Sequence, residues 1–300
     1  MACRVRELRL TRVATFVCVA ALAALASTAA AADEPQPKPE LPIGGRLLAT
    51  GGVSQIEGAA GGGLVPWAVL AGYGSEGQVG AAAHYSRGGY QDFRLATYGA
   101  AVSVWDRVEV SLGQQELDVK PLDEKIGMLV VGGKLRLLGD LVYDDWGTVA
   151  LGVQYKRNLD FDLPDAVGAY KKDGLDVYLA ASKLWLDGVF GVPLLLNGAV
   201  RATRANQIGL LGFGGDENAG YSFMLEGSAA LLVTRHLAIG YEYRQKPDNL
   251  SFAKEGPWQD AFAALFVNKH LALVGAYTWL DNVGPWGKQS GFYLSLQGSF

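Results

Sequence analysis

The chain runs to 300 residues, half of them apolar, with 26 basic and 30 acidic side chains and a net charge of −4. So apolar and aromatic a chain is not disordered, and its acidic balance disfavours nucleic acid as a partner. Beyond the first segment no apolar run reaches the ~18 residues of a membrane-spanning helix, so no such helix is expected.

The front end reads as a targeting segment. MACRVRELRLTR is basic, VATFVCVAALAALA is apolar, and STAAAADEP supplies small residues in an A-x-A pattern. Together they predict a signal peptide over 1–32, cleaved between Ala32 and Asp33. The other reading is an uncleaved anchor helix, but the second half of the apolar run is Ala and Ser and ends on the cleavage pattern. Both cysteines, Cys3 and Cys18, fall in this segment. Thr15 and Val17 stand where a lipobox ahead of Cys18 would need a leucine and a small residue. The mature chain is therefore expected to be exported and yet free of disulfides. Without Arg4, Arg6, Arg9, Arg12 and Glu7, the 26 basic and 30 acidic residues fall to 22 and 29. The Pro-rich stretch DEPQPKPELP follows, within a short periplasmic segment expected over 33–43, ahead of a single barrel over 44–300.

From Gly44 onward the hydrophobic period is two, which predicts strands. Fourteen are expected: 46–56, 64–73, 77–86, 94–104, 107–117, 126–138, 148–157, 174–186, 193–204, 221–233, 237–245, 259–267, 271–280 and 291–300. Without the first and the one at 259–267 the count is twelve. Brief turns (GYGSEG, VWDRVEV, LDGVFGVP, VTRHLAI, VNKHLAL) alternate with longer polar connections such as KRNLDFDLPDAVGAYKKDG and RANQIGLLGFGGDENAG. That alternation predicts an all-β, transmembrane, antiparallel up-and-down barrel.

The faces support it. In 148–156, Val149, Leu151, Val153 and Tyr155 oppose Gln154 and Lys156; in 237–244, Leu237, Ile239, Tyr241 and Tyr243 oppose Glu242 and Arg244. A soluble sandwich would bury the apolar set, but the aromatics on that face gather at strand ends. Tyr73, Trp185 and Phe300 mark the short-turn side. Tyr85, Tyr155, Tyr221, Tyr241, Tyr243, Trp279 and Phe292 mark the long-loop side. Two such belts are expected where rings meet lipid headgroups. Since an open sheet edge is untenable in hydrocarbon, the last strand must pair with the first. The final GFYLSLQGSF thus closes the ring, with Phe300 in the inner belt. A terminal strand ending in Phe also resembles the sorting signal of Gram-negative outer-membrane barrels, which implies recognition of Phe300 by the barrel assembly machinery. Lys183 falls on the lipid face; it is expected near the short-turn interface, where a lysine costs about 0–1 kcal/mol rather than about 2–4 at the midplane.

The segment GGRLLATGGVSQIEGAAGGGLVPWAVLAGYG, 44–74, resembles the opening of a family of proteobacterial outer-membrane proteins that carries a domain-of-unknown-function label. The resemblance extends to Phe300. It implies an exported barrel of the bacterial outer membrane and offers no catalytic residues to carry over.

The face assignment puts Lys134, Arg136, Lys156, Arg201 and Arg244 in the lumen with Glu109, Asp176, Glu226 and Glu242. One reading is a water-filled channel tuned by these charges; the other is an internal salt-bridge network filling a structural or anchoring barrel. Met128, Val130, Ala272, Val274 and Ala276 share the lumen face, which is drier than a general porin needs. Passage of small or moderately apolar solutes is therefore expected, ahead of the structural role and of a lipid-modifying enzyme. The enzyme reading rests on His84 with Ser86 two residues on; no orienting acid can be assigned, and His236 and His270 read as turn residues. A long-chain fatty-acid transporter would carry a sizeable N-terminal plug, and only about ten residues precede the expected wall. Gly-rich AAGGGL, 59–64, reads as a hairpin loop or a crossing of the barrel mouth. Asp160, Asp162 and Asp165, and Asp216 with Glu217, match no EF-hand and read as solvated loop. No metal or cofactor is expected. The expected partners are outer-membrane lipid, lipopolysaccharide, the assembly machinery and an unidentified small solute.

Overall fold

The computed structural model describes residues 48–75 and 77–300. The expected signal peptide, the 33–43 segment, both cysteines and the first residues of the expected barrel lie outside the described residues. Sixteen strands are described. In chain order they are β1 (Val53–Ser54), β2 (Ala60–Gly61), β3 (Val79–Tyr90), β4 (Phe93–Val104), β5 (Val108–Val119), β6 (Glu124–Leu138), β7 (Thr148–Asn158), β8 (Ala169–Lys171), β9 (Asp173–Val189), β10 (Val192–Thr203), β11 (Phe213–Gly215), β12 (Ser222–Thr234), β13 (Leu237–Arg244), β14 (Trp258–Phe266), β15 (Leu271–Asn282) and β16 (Lys288–Ser299). One short helix, α1 (Asp162–Ala166), lies between β7 and β8.

Twelve of the strands form one closed antiparallel barrel, and β1–β2 and β8–β11 are separate short pairs. Each wall strand pairs with its sequence neighbours, and β16 returns to β3 in the register Phe292↔Gly89, Leu294↔Arg87 and Leu296↔Tyr85. Phe300 N–H donates to Ala81 O at 2.8 Å, so the ladder runs to the last residue. The barrel expectation holds, with the lower of the two strand counts.

Inside-out burial explains why these residues make a wall. Along β7, buried and more exposed positions alternate: Gln154 and Lys156 are buried, while Leu151, Val153 and Tyr155 are exposed. In β13, Glu242 and Arg244 are buried against exposed Ile239 and Tyr241; in β16, Ser295 and Gln297 against Phe292, Leu294 and Leu296. An exposed apolar face repeated round the wall is stable only against hydrocarbon. Among the described residues no helix is long and apolar enough to cross a membrane; the strands do the spanning.

The expected strands 46–56 and 64–73 are not wall strands. Their described residues hold only β1, paired to β2, and the rest is turn and irregular chain. Alternation there reflects burial within the lumen rather than a membrane face. Glycine makes the path possible. Gly58 has φ of +97°, and a Cβ on it would lie 2.8 Å from the carbonyl oxygen of Leu112 in the wall. Only glycine tolerates both conditions. The expected strand at 259–267 is a full member of the wall, as β14.

Tight turns gather at one end. Trp105 and Asp106 (φ +56° and +52°), and Phe190 and Gly191 (φ +53° and +78°), take the left-handed conformations of tight hairpins. The turns after β12 and β14 are built alike. His236 N–H donates to Thr234 Oγ1 and its Nδ1–H to Phe266 O; His270 N–H donates to Asn268 Oδ1 and its Nδ1–H to Ser299 O. Both histidines therefore pin a turn to the adjacent strand. The alternation of connection lengths has exceptions at both ends: two residues join β3 to β4 and four, 120–123, join β5 to β6 at the long-loop end, whereas 139–147 joins β6 to β7 at the other. Lys183 lies on the outward face and reaches the latter connection, donating to Val142 O at 2.8 Å and Asp144 O at 2.7 Å. Its ammonium is thereby satisfied at the short-turn end.

Candidate functional site

The lumen is occupied by the chain's own residues 48–75. This inner segment is tied to inward side chains from strands all round the wall. Ser54 N–H donates to Gln297 Oε1 (2.9 Å), Gln115 Nε2–H to Ile56 O (3.0 Å), Asn197 Nδ2–H to Pro66 O (3.2 Å), and Trp67 Nε1–H to Ser228 Oγ (3.0 Å). Ala68 N–H donates to Ser182 Oγ at 2.9 Å.

Glu57 is the hub. Arg244 grips its carboxylate with two nitrogens, Nη1–Oε2 at 2.9 Å and Nη2–Oε1 at 3.1 Å. Lys156 Nζ donates to Glu57 Oε1 and lies 2.7 Å from Asp176 Oδ2. Arg201 pairs with Glu226 through Nε (2.5 Å) and Nη2 (3.2 Å), reaches Asp176 at 3.3 Å, and lies over the ring of Tyr178 at 4.9 Å. Three cations thus meet three carboxylates with all six side chains buried. Burial would push the Glu57 carboxyl upward, but Arg244, Lys156 and Arg201 together hold it well below the usual carboxylate range.

Two further ties hold the same segment. Glu109 accepts from Ala60 N–H at 3.1 Å and Ala71 N–H at 2.9 Å. Lys134 donates to Ala60 O at 2.7 Å and Val69 O at 2.9 Å and pairs with Glu109 at 3.3 Å. Glu242 accepts from Leu64 N–H and from Ser228 Oγ–H, both at 2.7 Å, and faces Asp260 across β13–β14. Arg136 lies apart, at the short-turn rim, bound to Asp106 at 2.6 Å. Of the nine expected lumen charges, eight are therefore buried and gathered around the inner segment, and Arg136 is half-buried at the rim.

Tyr73 is not a belt residue. It is 3 % exposed within the inner segment, and its N–H donates to Phe300 O at 2.7 Å. Trp185, Tyr155, Tyr221, Tyr241, Trp279, Phe292 and Phe300 are exposed, and Tyr243 is half-buried on the outward face. Tyr85 is exposed in mid-strand opposite Tyr98, because β3 continues through Gly88 and Gly89 to Tyr90. Sequence reasoning missed Trp105, Tyr143, Trp146 and Phe190, all exposed at the short-turn end; the signal was an aromatic within three of the connections there. It also missed Glu57, whose signal was a lone acid in a glycine- and alanine-rich run. The premise that nothing long enough to plug the lumen precedes the wall does not hold, since 48–75 does so.

His84 and Ser86, on which the disfavoured enzyme reading would rest, take separate partners. His84 Nε2 faces Thr97 Oγ1 at 3.4 Å, and the Ser86 hydroxyl is shared with Ser295 (2.7 Å) and Tyr293 (2.9 Å). Among the described residues no group of three or more His, Cys, Asp or Glu could hold a metal. Asp216 instead accepts from the backbone N–H and hydroxyl of Ser251.

Above the plug, at the long-loop end, lies a small apolar cleft with about 40 Å³ of water-accessible space. Its wall side is Phe93, Leu95, Leu117, Ile126 and Leu280, with Leu163, Leu210, Phe252 and Trp286 contributed by the connections. Gln207 also lines it and accepts from Lys246 Nζ–H. Lys246 in turn pairs with Glu255 at 3.3 Å and lies 5.2 Å from the centre of the Trp258 ring. Burial pushes the Lys246 amine down and the Glu255 carboxyl up.

Comparison with solved structures places the chain beside outer-membrane barrels. It resembles the NanC porin at 9 % identity and a TM-score of 0.49, over 72 % of this chain and 98 % of that one. It resembles the KdgM porin at 12 % and 0.47, over 73 % and 99 %, and the COG4313 outer membrane channel from Pseudomonas putida F1 at 14 % and 0.42, over 75 % and 95 %. The outer membrane phospholipase A from Escherichia coli is similar at 9 % and 0.41, over 73 % and 92 %. With scores below 0.5, none of these likenesses carries a functional inference to this chain. No curated protein sequence matches. A family model described as "Protein of unknown function (DUF3034)" matches residues 50–297, from the inner segment to the closing strand, and the chain belongs to that family.

Proposed function

We propose that the protein is a normally closed passage of the bacterial outer membrane for small, moderately apolar solutes, with residues 48–75 as its gate. The carrying observation is how that segment is held. Glu57 is fastened to the wall by Arg244 and Lys156, and Glu109 and Glu242 take backbone N–H groups at 2.7–3.1 Å. Buried ion pairs bring little net stability over apolar packing, and their best-attested use is to fix one arrangement among several. A segment held in this way has a defined seat and can leave it without unmaking the barrel's backbone ladder. The apolar lining of the outer mouth selects against strongly hydrated solutes.

Liposome swelling with graded solutes tests the proposal. Wild-type protein gives slow swelling with sugars and faster entry of apolar solutes of the same size. Glu57→Gln, which removes the charge that Arg244 and Lys156 hold, raises sugar entry. A second reading, a structural barrel with a permanently filled lumen, draws on the same buried network. It gains if neither wild type nor Glu57→Gln admits any solute, a result that removes the passage.

A further inference from the structure

We propose that the protein pairs with a second copy of itself in the membrane, two barrels meeting along the outward faces of β3, β4 and β5 about a two-fold axis. The interface uses none of the lumen side chains and is independent of the passage reading.

The first argument is a break in the apolar band. A membrane strand needs about 9–11 residues to cross. β6 supplies them outward as Leu129, Val131, Gly133, Leu135 and Leu137. In β5 the outward series runs Val108, Val110 and Leu112 and then turns polar, with Gln114, Glu116 and Asp118. Its apolar stretch, 108–112, is about half the length required. On the same face β3 and β4 add the exposed side chains of Arg87 and Arg94. The chain's own contacts hold this patch loosely. Arg94 lies 3.7 Å from Asp118, and Tyr98 Oη–H and Gln114 Nε2–H reach Glu116 Oε1 at 3.4 Å. Polar side chains facing hydrocarbon are disfavoured, and a second surface that pairs with them takes them out of lipid.

The second argument is the order of the charges. The register sets Arg87 of β3 and Glu116 of β5 on either side of Ala96 of β4. Cations therefore lie on the β3–β4 flank and carboxylates on the β5 flank. Lys125 of β6 lies one strand beyond Asp118, where the wall curves away. Two copies inserted the same way round are related by an axis along the membrane normal, and the same patch then serves both. With that axis close to β4, the rotation sets the β3 flank of one copy against the β5 flank of the other, so the cation-to-carboxylate match is made twice. A patch of one sign would repel its own copy; this one is self-complementary.

The third argument is room to approach. At the long-loop end, two residues join β3 to β4 and four join β5 to β6, against 159–172, 204–221 and 245–257 elsewhere. Nothing long overhangs this sector. Ala100 of β4, facing Ala83 of β3, and Ala96 keep the seam low. In lipid, close packing of small residues and polar pairing drive association, since hydrocarbon is as apolar as the wall.

Cross-linking and single-molecule counting test the proposal. No cysteine lies beyond Cys18, so Ala100→Cys places one thiol on the seam and Leu196→Cys one on β10, away from it. In outer membranes of expressing cells, a short bis-maleimide is expected to convert Ala100→Cys to a dimer and to leave Leu196→Cys monomeric. Photobleaching steps counted at graded density in supported bilayers then give the dimer fraction. Arg87→Glu and Glu116→Arg are each expected to weaken dimerisation roughly tenfold. Mixing the two variants restores it, because each new charge then meets the opposite sign on the other copy; misfolding would not be rescued in this way. Both reversals leave the buried network around Glu57 untouched, and the barrels stay folded. Single photobleaching steps at every density, equal cross-linking at the two positions, or a mixture no better than either variant alone would overturn the proposal. So would monomers whose patch is covered by lipopolysaccharide instead.

Discussion

Glu57 concentrates the account in one side chain. It is buried with two cations gripping it, and replacement by alanine leaves Arg244 and Lys156 without their carboxylate in the lumen. Breaking one partner of a buried pair costs about 3–5 kcal/mol. Glu57→Ala is therefore expected to lower the unfolding midpoint in denaturant, whereas Glu116→Ala on the outward face leaves it unmoved. The pH dependence follows from the same contacts. A carboxyl held below its unfolded value contributes stability that is present above the ordinary carboxylate pKa and is lost only as pH falls through the folded value. Since the Glu57 value lies well below the usual range, stability and solute entry should both be flat from pH 8 to the ordinary carboxylate range through this group. A rise in sugar entry on mild acidification that Glu57→Gln abolishes would contradict that assignment. Lys183→Met is a second residue-scale case. It removes donors to the carbonyls of Val142 and Asp144, and amide exchange over 139–147 is expected to quicken while the wall ladder stays protected.

At the scale of elements, what the sequence showed and what it hid have one cause. Period two identified β7, β13 and β16 because their two faces meet different solvents, hydrocarbon outside and a polar interior inside. The inner segment alternates too, yet both of its faces are buried: Ile56, Leu64, Val65 and Leu70 are as enclosed as Gln55 and Glu57. Alternation there reports packing against the wall on one side and against the rest of the plug on the other, and nothing in period or composition separates that from a membrane strand. The lumen charges were legible for the same reason that the wall was, being fixed by parity. Their partner Glu57 was not, because it belongs to the segment whose place was misread. Gly58 is the element's most sensitive point. Its φ of +97° and its approach to Leu112 O leave no room for a side chain. Gly58→Val is expected to unseat the segment, so that residues 48–75 become sensitive to added protease while the barrel core survives digestion. Protection unchanged from wild type would mean that the segment is not held at Gly58.

For the whole molecule, closure and filling are separate properties. Closure follows from lipid, which leaves no room for an unpaired edge, and is seen in the pairing of β16 with β3. A barrel of this size leaves interior space that must hold water or side chains. Here the chain's own inner segment occupies it, tied by buried polar groups, and apolar residues line the mouth beyond. The aromatic side chains exposed at the short-turn end, Trp105, Tyr143, Trp146, Trp185, Phe190 and Phe300, are expected to mark the inner boundary of the hydrocarbon. Lipids brominated near the headgroup should quench tryptophan fluorescence more than lipids brominated at the chain terminus, and Trp105→Phe with Trp146→Phe should reduce that difference. Planar-bilayer recording tests the filled lumen most directly. The wild-type barrel is expected to give no steady open-channel current, and the same barrel lacking residues 50–74 to give stable conductance steps. Stable steps from the wild type, unchanged by that deletion, would contradict the account.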